Sequence, residues 1–459
     1  MKEIKTNLKF LSILAFLEGG IVMCIELLGA RFLAPVYGSS LEVWSIVLAI
    51  SVGALTLGYF AGGFFSNKKN KENLLLLILI SAGILIFLMP FLAKTIITNF
   101  NAESIILDSF KASLLFLAFP LFLLGSSTPI IIELKNIKQT EIGQTAGNVY
   151  AISTIGGILF TYLTGFYLIP NFGLTNTAMI AGIIISILPV IIFLTHKKLI
   201  GLGIIPVFIL IFYLNKPENN INPEYKILDY SEGILGQLLL VDINNENSKE
   251  RALFVNRIGQ TWVNFETGET RWDYPNYLVT LASTLKEKPN VLVLGLGGGT
   301  VPRYLESFLN ANVEAVEIDK RMETIAKSYF SLGNTKVIID DARHFIETNY
   351  RKYDLIIFDL YKGESPPSHT LSIETFSKIK NMLLENGMCV INFNGYINGE
   401  EGKAGRSLLK TLEEAGFTTN IIPTKGEDNY RNCLYIATLE NPNFSEPRFP
   451  LMIDGKNTS

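Results

Sequence analysis

Val291-Leu292-Val293-Leu294-Gly295-Leu296-Gly297-Gly298-Gly299 is the stretch on which the reading of this chain turns. Four apolar residues suit a buried parallel strand, and glycines at 295, 297 and 299 suit a tight turn leading out of it. Glycine serves such a turn because the backbone bends sharply and a ligand must reach bare Cα atoms. The next apolar run, Val313 to Ile318, carries Glu317, 18 residues beyond Gly299. That spacing suits a carboxylate accepting hydrogen bonds from ribose hydroxyls.

Downstream, apolar runs alternate with helical patterns. Strands are expected at 291–294, 313–317, 336–339, 354–359, 388–393, 418–422 and 433–438, with helices such as Arg321 to Phe330 and Ile373 to Leu384 between them. The alternation predicts a mostly parallel, Rossmann-like α/β sheet with helices on both faces, of the class I methyltransferase kind. Ligands in such sheets sit beyond the carboxyl ends of the strands, where this sequence puts Glu317 and Asp319, Asp340 and Asp341, and Asp359. A strict dinucleotide fingerprint wants glycine or alanine where Thr300 stands. Alternate glycines followed by acids on the second and third strands suit an adenosyl-sulfonium ligand, with Glu317 on the ribose diol and Asp341 on the adenine amino group. The competing reading is a glycine turn that only packs helix on strand.

Upstream the composition changes. The chain has 459 residues and a net charge of −3, but from Phe10 to Leu214 charges are sparse. A helix of about 20 apolar residues crosses a bilayer core, and candidate spans lie at 10–33, 41–65, 74–97, 107–133, 147–170, 174–195 and 199–214. Lysines cluster at 2–9, 68–71, 135–138 and 197–198, in alternate loops, which places those loops and the N-terminus in the cytoplasm. The last segment, 16 residues with Gly201, Gly203 and Pro206, breaks that scheme. It reads as re-entrant or interfacial, or as a sign of a miscount at 107–133, where Pro120 and Pro129 interrupt the span. Glu18, Glu26 and Arg31 fall within or at the end of the first span; they read either as a functional polar face or as a Glu26–Arg31 pair fixing the helix.

The expected organisation is therefore a helical membrane domain over 1–214, a linker at 215–226, a small β-strand subdomain at 227–273, a catalytic α/β domain at 274–445 and a tail at 446–459. The soluble half has no basic stripe, so nucleic acid is not expected as a partner. Three scattered cysteines and three histidines show neither a disulfide framework nor metal-ligand spacing, and no metal is predicted.

The soluble half resembles the spermidine synthase (polyamine aminopropyltransferase) family, and the whole chain resembles its membrane-fused, major-facilitator-like branch. The residues that carry the likeness are Gln260 to Leu281, Val291 to Tyr304, Val316-Glu317-Ile318-Asp319, Asp341-Ala342-Arg343 and Tyr353 to Asp359. In the first half they are Glu26 to Pro35, Tyr37-Gly38-Ser39-Ser40 with Trp44, and Gly147 to Gly156. The resemblance implies alkyl transfer from a sulfonium, decarboxylated S-adenosylmethionine or S-adenosylmethionine itself, to an amine such as a polyamine. It implies Asp359 as the proton acceptor, Tyr277 lining the same pocket, and Gln260, Gly295, Gly297, Gly299, Glu317, Asp341 and Ala342 around the nucleoside.

Glu364 and His369 are candidates for the acceptor side, since loops after a catalytic strand commonly close over substrate. Three positions depart from the family: Gly297 stands where an aspartate grips the donor's amine, Leu278 where a histidine follows the tyrosine, and only Glu364 loosely replaces a second acceptor-side aspartate. The expectation is a multi-pass enzyme of the cell membrane with a cytoplasmic catalytic domain, compatible with a homodimer. A methyltransferase with a membrane-borne acceptor, and a transporter or sensor that binds nucleoside without catalysis, are the competing functions.

Overall fold

The computed structural model describes residues 8–38, 40–99, 104–136, 142–195, 207–213, 224–233, 235–245, 248–361, 366–425, 431–440, 452–453 and 456–457. The chain divides into two compact units, residues 1–220 with 230–238, and residues 221–229 with 239–459.

The first unit is helical: α1 (Leu8–Tyr37), α2 (Leu41–Phe65), α3 (Lys71–Asn99), α4 (Ile105–Phe116), α5 (Ala118–Lys135), α6 (Ile142–Leu163) and α7 (Ile169–Thr195). Among the described residues five helical runs are long and apolar enough to cross a membrane, namely Leu8–Tyr37, Leu41–Phe65, Lys71–Ile96, Ala118–Lys135 and Ile142–Thr195. The last is one 54-residue run joining α6, a π-turn at Thr164–Leu168 and α7, with non-helical backbone at Gly173 (φ 77°, ψ 177°). The expected spans 147–170 and 174–195 are the two parts of that run.

The expected span at 107–133 is corrected. It breaks at Leu117 into α4 and α5, and α4 has only 12 residues, about 18 Å at 1.5 Å per residue, short of a bilayer core. Of the expected segment at 199–214, residues 207–213 are helical and the others lie outside the described residues. Packing and exposure divide each helix into two faces. On α2, Val43, Val47 and Ile50 are buried while Val52, Leu57, Phe60 and Phe64 are exposed, an apolar outer surface that lipid would cover. Gly58 lets α2 touch α5 backbone to backbone, since a Cβ there would lie 2.4 Å from the Phe122 carbonyl oxygen. Among the described residues no ion pair joins Glu26 to Arg31, so the second of the two readings, a pair fixing the helix, is not formed.

After the helices the chain forms a four-stranded sheet in sequential order, β1 (Tyr225–Gly233), β2 (Gly236–Asn245), β3 (Ser248–Val255) and β4 (Ile258–Asn264). The first strand was not expected, and it starts inside the expected linker: its exposed and half-buried residues give little apolar alternation to read. The helix α8 (Tyr274–Ala282) leads to a seven-stranded sheet. Its strands are β5 (Asn290–Leu294), β6 (Asn312–Glu317), β7 (Lys336–Ile339), β8 (Tyr353–Phe358), β9 (Leu383–Gly395), β10 (Thr418–Pro423) and β11 (Arg431–Thr438). The intervening helices are α9 (Thr300–Leu309), α10 (Lys320–Tyr329), α11 (Ala342–Thr348), α12 (Ile373–Met382) and α13 (Lys403–Glu414).

The order is β10-β11-β9-β8-β5-β6-β7, with β5 to β9 and β10 running in one direction and β11 antiparallel to both of its neighbours. It is thus a mixed sheet, the class I methyltransferase arrangement. Its switch point lies between the parallel neighbours β5 and β8, where the order of the strands reverses, beyond Leu294 and Phe358. Strands β5 and β8 are wholly apolar and buried at their centres, which explains their unbroken valine, leucine and isoleucine runs.

Candidate active site

The glycine turn leaves β5 with Gly295 at φ +94° and Gly297 at φ +53°. A side chain at Gly295 would also strike the Asp359 carbonyl oxygen, 2.2 Å from its Cβ position, so glycine is what lets the first and fourth strands close on each other. The turn is tied down on its other side by β4. Thr261 Oγ1 accepts from the Gly298 N–H at 2.8 Å and donates to the Gln260 carbonyl at 2.7 Å.

A cavity of about 260 Å³ opens there, lined by Gln260, Thr261, Trp272, Tyr274, Gly297, Thr300, Asp359, Tyr361, Asn392, Asn394 and Asn432 among others. Asp359 stands on its wall. Asn392 Nδ2 donates to one carboxylate oxygen at 2.8 Å and the Tyr274 hydroxyl to the other at 3.0 Å. Asn392 is held in turn: Asn432 Nδ2 donates to its side-chain oxygen at 2.8 Å, and the Tyr361 hydroxyl to its carbonyl at 2.9 Å. Burial pushes the Asp359 carboxyl above the usual carboxylate range, against the pull of Asn392 and Tyr274. Burial, and then the neighbouring carboxylate, push the Tyr274 phenol well above its ordinary value. A carboxylate tuned upward at a cavity wall is suited to accept a proton. The Thr300 hydroxyl is buried on the same wall and has no partner among the described residues, an available group for a ligand.

Glu317 ends β6 and is buried; it accepts from the Leu296 N–H in the glycine turn at 3.1 Å and from the Asp319 N–H at 2.8 Å. Burial raises its carboxyl, and those backbone donors lower it. Asp341 caps α11, accepting from the Arg343 and His344 N–H groups at 2.9 and 3.1 Å, with Ala342 as the first helical residue. The structure thus brings Gln260, Gly297 and Asp359 to one cavity and joins Glu317 to it through Leu296. Gly295, Gly299, Asp341 and Ala342 occupy neighbouring strand ends.

Two expected positions fall elsewhere. Tyr277 is not on the cavity wall; one helical turn earlier, Tyr274 takes the place beside Asp359. His369 sits in a short 3-10 turn (Ser368–Thr370) away from the cavity, where its carbonyl accepts from Arg343. Glu364 lies outside the described residues. Leu278 is wholly buried core. Asn392 and Asn432 are not among the acids that strand ends display; Asn392 follows the apolar run Cys389-Val390-Ile391, which is the signal the sequence carries for it.

Residues 273–424 match the family described as spermine/spermidine synthase domain. Polyamine aminopropyltransferase 2 of Aquifex aeolicus is 26% identical over 419 residues, covering 85% of this chain and 80% of that protein. The polyamine aminopropyltransferase of Vibrio vulnificus is 37% identical over 128 residues, 26% of this chain and 43% of that one. A shorter likeness reaches the N-terminal histidine N-methyltransferase of Emericella nidulans, 35% identical over 115 residues, 24% of this chain and 20% of that one. The domain match and these relatives lead to one conclusion: residues 273–424 are similar to the spermine/spermidine synthase domain, and the chain is an enzyme of the polyamine aminopropyltransferase type.

Proposed function

We propose that the chain transfers an aminopropyl group from decarboxylated S-adenosylmethionine to an amine acceptor such as putrescine. The observation that carries this reading is Asp359, held at the cavity wall by Tyr274 and Asn392 and facing the same space as the glycine turn. The adenosine lies against Gly295 to Gly299, with its ribose toward Glu317 and its base toward Asp341 and Ala342. Asp359 takes the proton of the acceptor's ammonium, and the freed nitrogen lone pair attacks the propyl carbon bonded to sulfur. A carbon–nitrogen bond forms as the carbon–sulfur bond breaks, and its electron pair stays on sulfur, which leaves as neutral methylthioadenosine. The sulfonium is already an activated leaving group, so positioning and proton removal are the protein's main contributions.

The apolar outer faces of the helical unit support a multi-pass place in the cell membrane, and dependence on a nucleoside-type donor supports a cytoplasmic catalytic unit. The reading leaves room for a homodimer. A second reading, methyl transfer from S-adenosylmethionine, is favoured by one observation: Gly297 offers no carboxylate to grip a donor amine, and Glu364 is a loose substitute on the acceptor side. Incubating the purified full-length protein with each sulfonium donor and a polyamine mixture separates the two. Methylthioadenosine as the nucleoside product supports aminopropyl transfer, S-adenosylhomocysteine supports methyl transfer, and neither product defeats both.

A further inference from the structure

In the helical unit, Glu18 lies mid-way along α1 with only 2% of its surface exposed. One carboxylate oxygen accepts from the Ser153 hydroxyl of α6 at 3.0 Å, the other from the Thr128 hydroxyl of α5 at 3.2 Å. The three helices meet tightly around it. A Cβ at Gly19 would lie 2.1 Å from the Ser153 carbonyl oxygen, and one at Gly156 2.0 Å from that of Phe16.

The ionisable surroundings are one-sided. Tyr59 of α2 lies within electrostatic reach of Glu18 and of Tyr150 on α6. On α5, Lys135 donates to Ser12, about 9 Å from Glu18 along α1 at 1.5 Å per residue, and Glu133 pairs with Lys71 of α3. Asp108 of α4 pairs with Lys111, and α7 carries no ionisable residue. Among the described residues no basic side chain pairs with Glu18.

A carboxylate with only neutral donors in an apolar bundle is costly to keep charged, by several kcal/mol even after relaxation. A counter-cation could offset this, but backbone contacts close the node and both oxygens are already engaged. A proton needs no cavity. We propose that Glu18 is a reversible proton-binding site within the helical unit, its ionised form stabilised by Ser153 and Thr128 and its neutral form by the apolar surroundings. Such a group carries charge into and out of a helix junction, which is the usual use of an acid at this depth.

The test uses the full-length protein in detergent micelles and pH-difference infrared spectroscopy, which resolves the carbonyl stretch of a protonated carboxyl and needs no reagent to enter the node. The expected result is a protonated-carboxyl band that follows a one-proton curve, falling about tenfold per pH unit on its alkaline side. Glu18→Gln removes that band. Ser153→Ala removes a donor to the ionised form and moves the curve upward by about one pH unit. The absence of any protonated-carboxyl band that Glu18→Gln removes or Ser153→Ala shifts overturns the proposal, as does a Glu18 band that stays constant from about pH 5 to about pH 9. Where Glu18→Gln fails to fold, the Ser153→Ala shift assigns the band. A curve unmoved in both Ser153→Ala and Thr128→Ala overturns the assigned hydroxyl roles.

Discussion

At Asp359 each carboxylate oxygen accepts one bond from a neutral donor, Asn392 at 2.8 Å and Tyr274 at 3.0 Å; at Glu18 the same arrangement comes from Ser153 at 3.0 Å and Thr128 at 3.2 Å. The donor count is equal, yet the surroundings are not. Asp359 stands at the wall of a cavity that also holds the glycine turn and an unpartnered Thr300 hydroxyl. Glu18 stands where three helices touch, with backbone pressed against its neighbours. A buried acid therefore takes its chemistry from what can reach it: a substrate amine in the α/β unit, and nothing larger than a proton in the helical one.

The sharpest way to break the comparison is Asp359→Asn, which keeps the shape of the site and removes its base. Turnover should fall by about 10²- to 10⁴-fold with nucleoside affinity retained, measured by product formation alongside calorimetry. Unchanged turnover would return Asp359 to the role of a structural carboxylate. Next in size, Glu317→Gln should weaken nucleoside binding by about 10- to 100-fold, read by calorimetry on the full-length protein. A smaller loss would separate Glu317 from the ligand and leave it only as the anchor of Leu296 and Asp319.

The pH dependence tests the donors. Asp359 must be ionised to take a proton, and burial raises its midpoint, so activity is lost as pH falls through that raised value. Tyr274 pulls the midpoint down; Tyr274→Phe should therefore move the acid limb upward by about one pH unit and cost about tenfold in rate at its foot. A downward shift would reverse the assignment. The smallest effect concerns the helical unit. Gly156→Ala pushes a methyl group toward the Phe16 carbonyl and should lower the thermal midpoint by a few degrees, about 1–3 kcal/mol of overpacking.

Much of the α/β unit was legible because each of its strands is a short apolar run bounded by turn residues. The expected strand at 336–339 coincides with β7, and those at 313–317 and 418–422 each differ from β6 and β10 by one residue at one end. Less was legible where the local signal is weak. The strand β1 has no clean alternation, and α4 and α5 read as one apolar stretch because a break at Leu117 changes geometry without changing hydropathy. At the site, acids at strand ends could be named from position alone. The partners of Asp359 could not, because Tyr274 and Asn392 lie 85 and 33 residues from it along the chain, and Asn432 lies 40 residues from the Asn392 it holds.

The sequence by itself determined the two-part character of this protein, the glycine turn after β5 and the acids at the ends of β6, β7 and β8, since each is a property of a short run or of spacing along one element. Packing in three dimensions was needed to settle that Tyr274 and not Tyr277 meets Asp359, that Asn392 holds that carboxylate and is itself held by Asn432 from another strand, and that Glu18 is closed in by α5 and α6. Those are meetings between distant segments, and hydrogen bonds and backbone contacts of a few ångströms are set by how helices and strands pack, which no local pattern records.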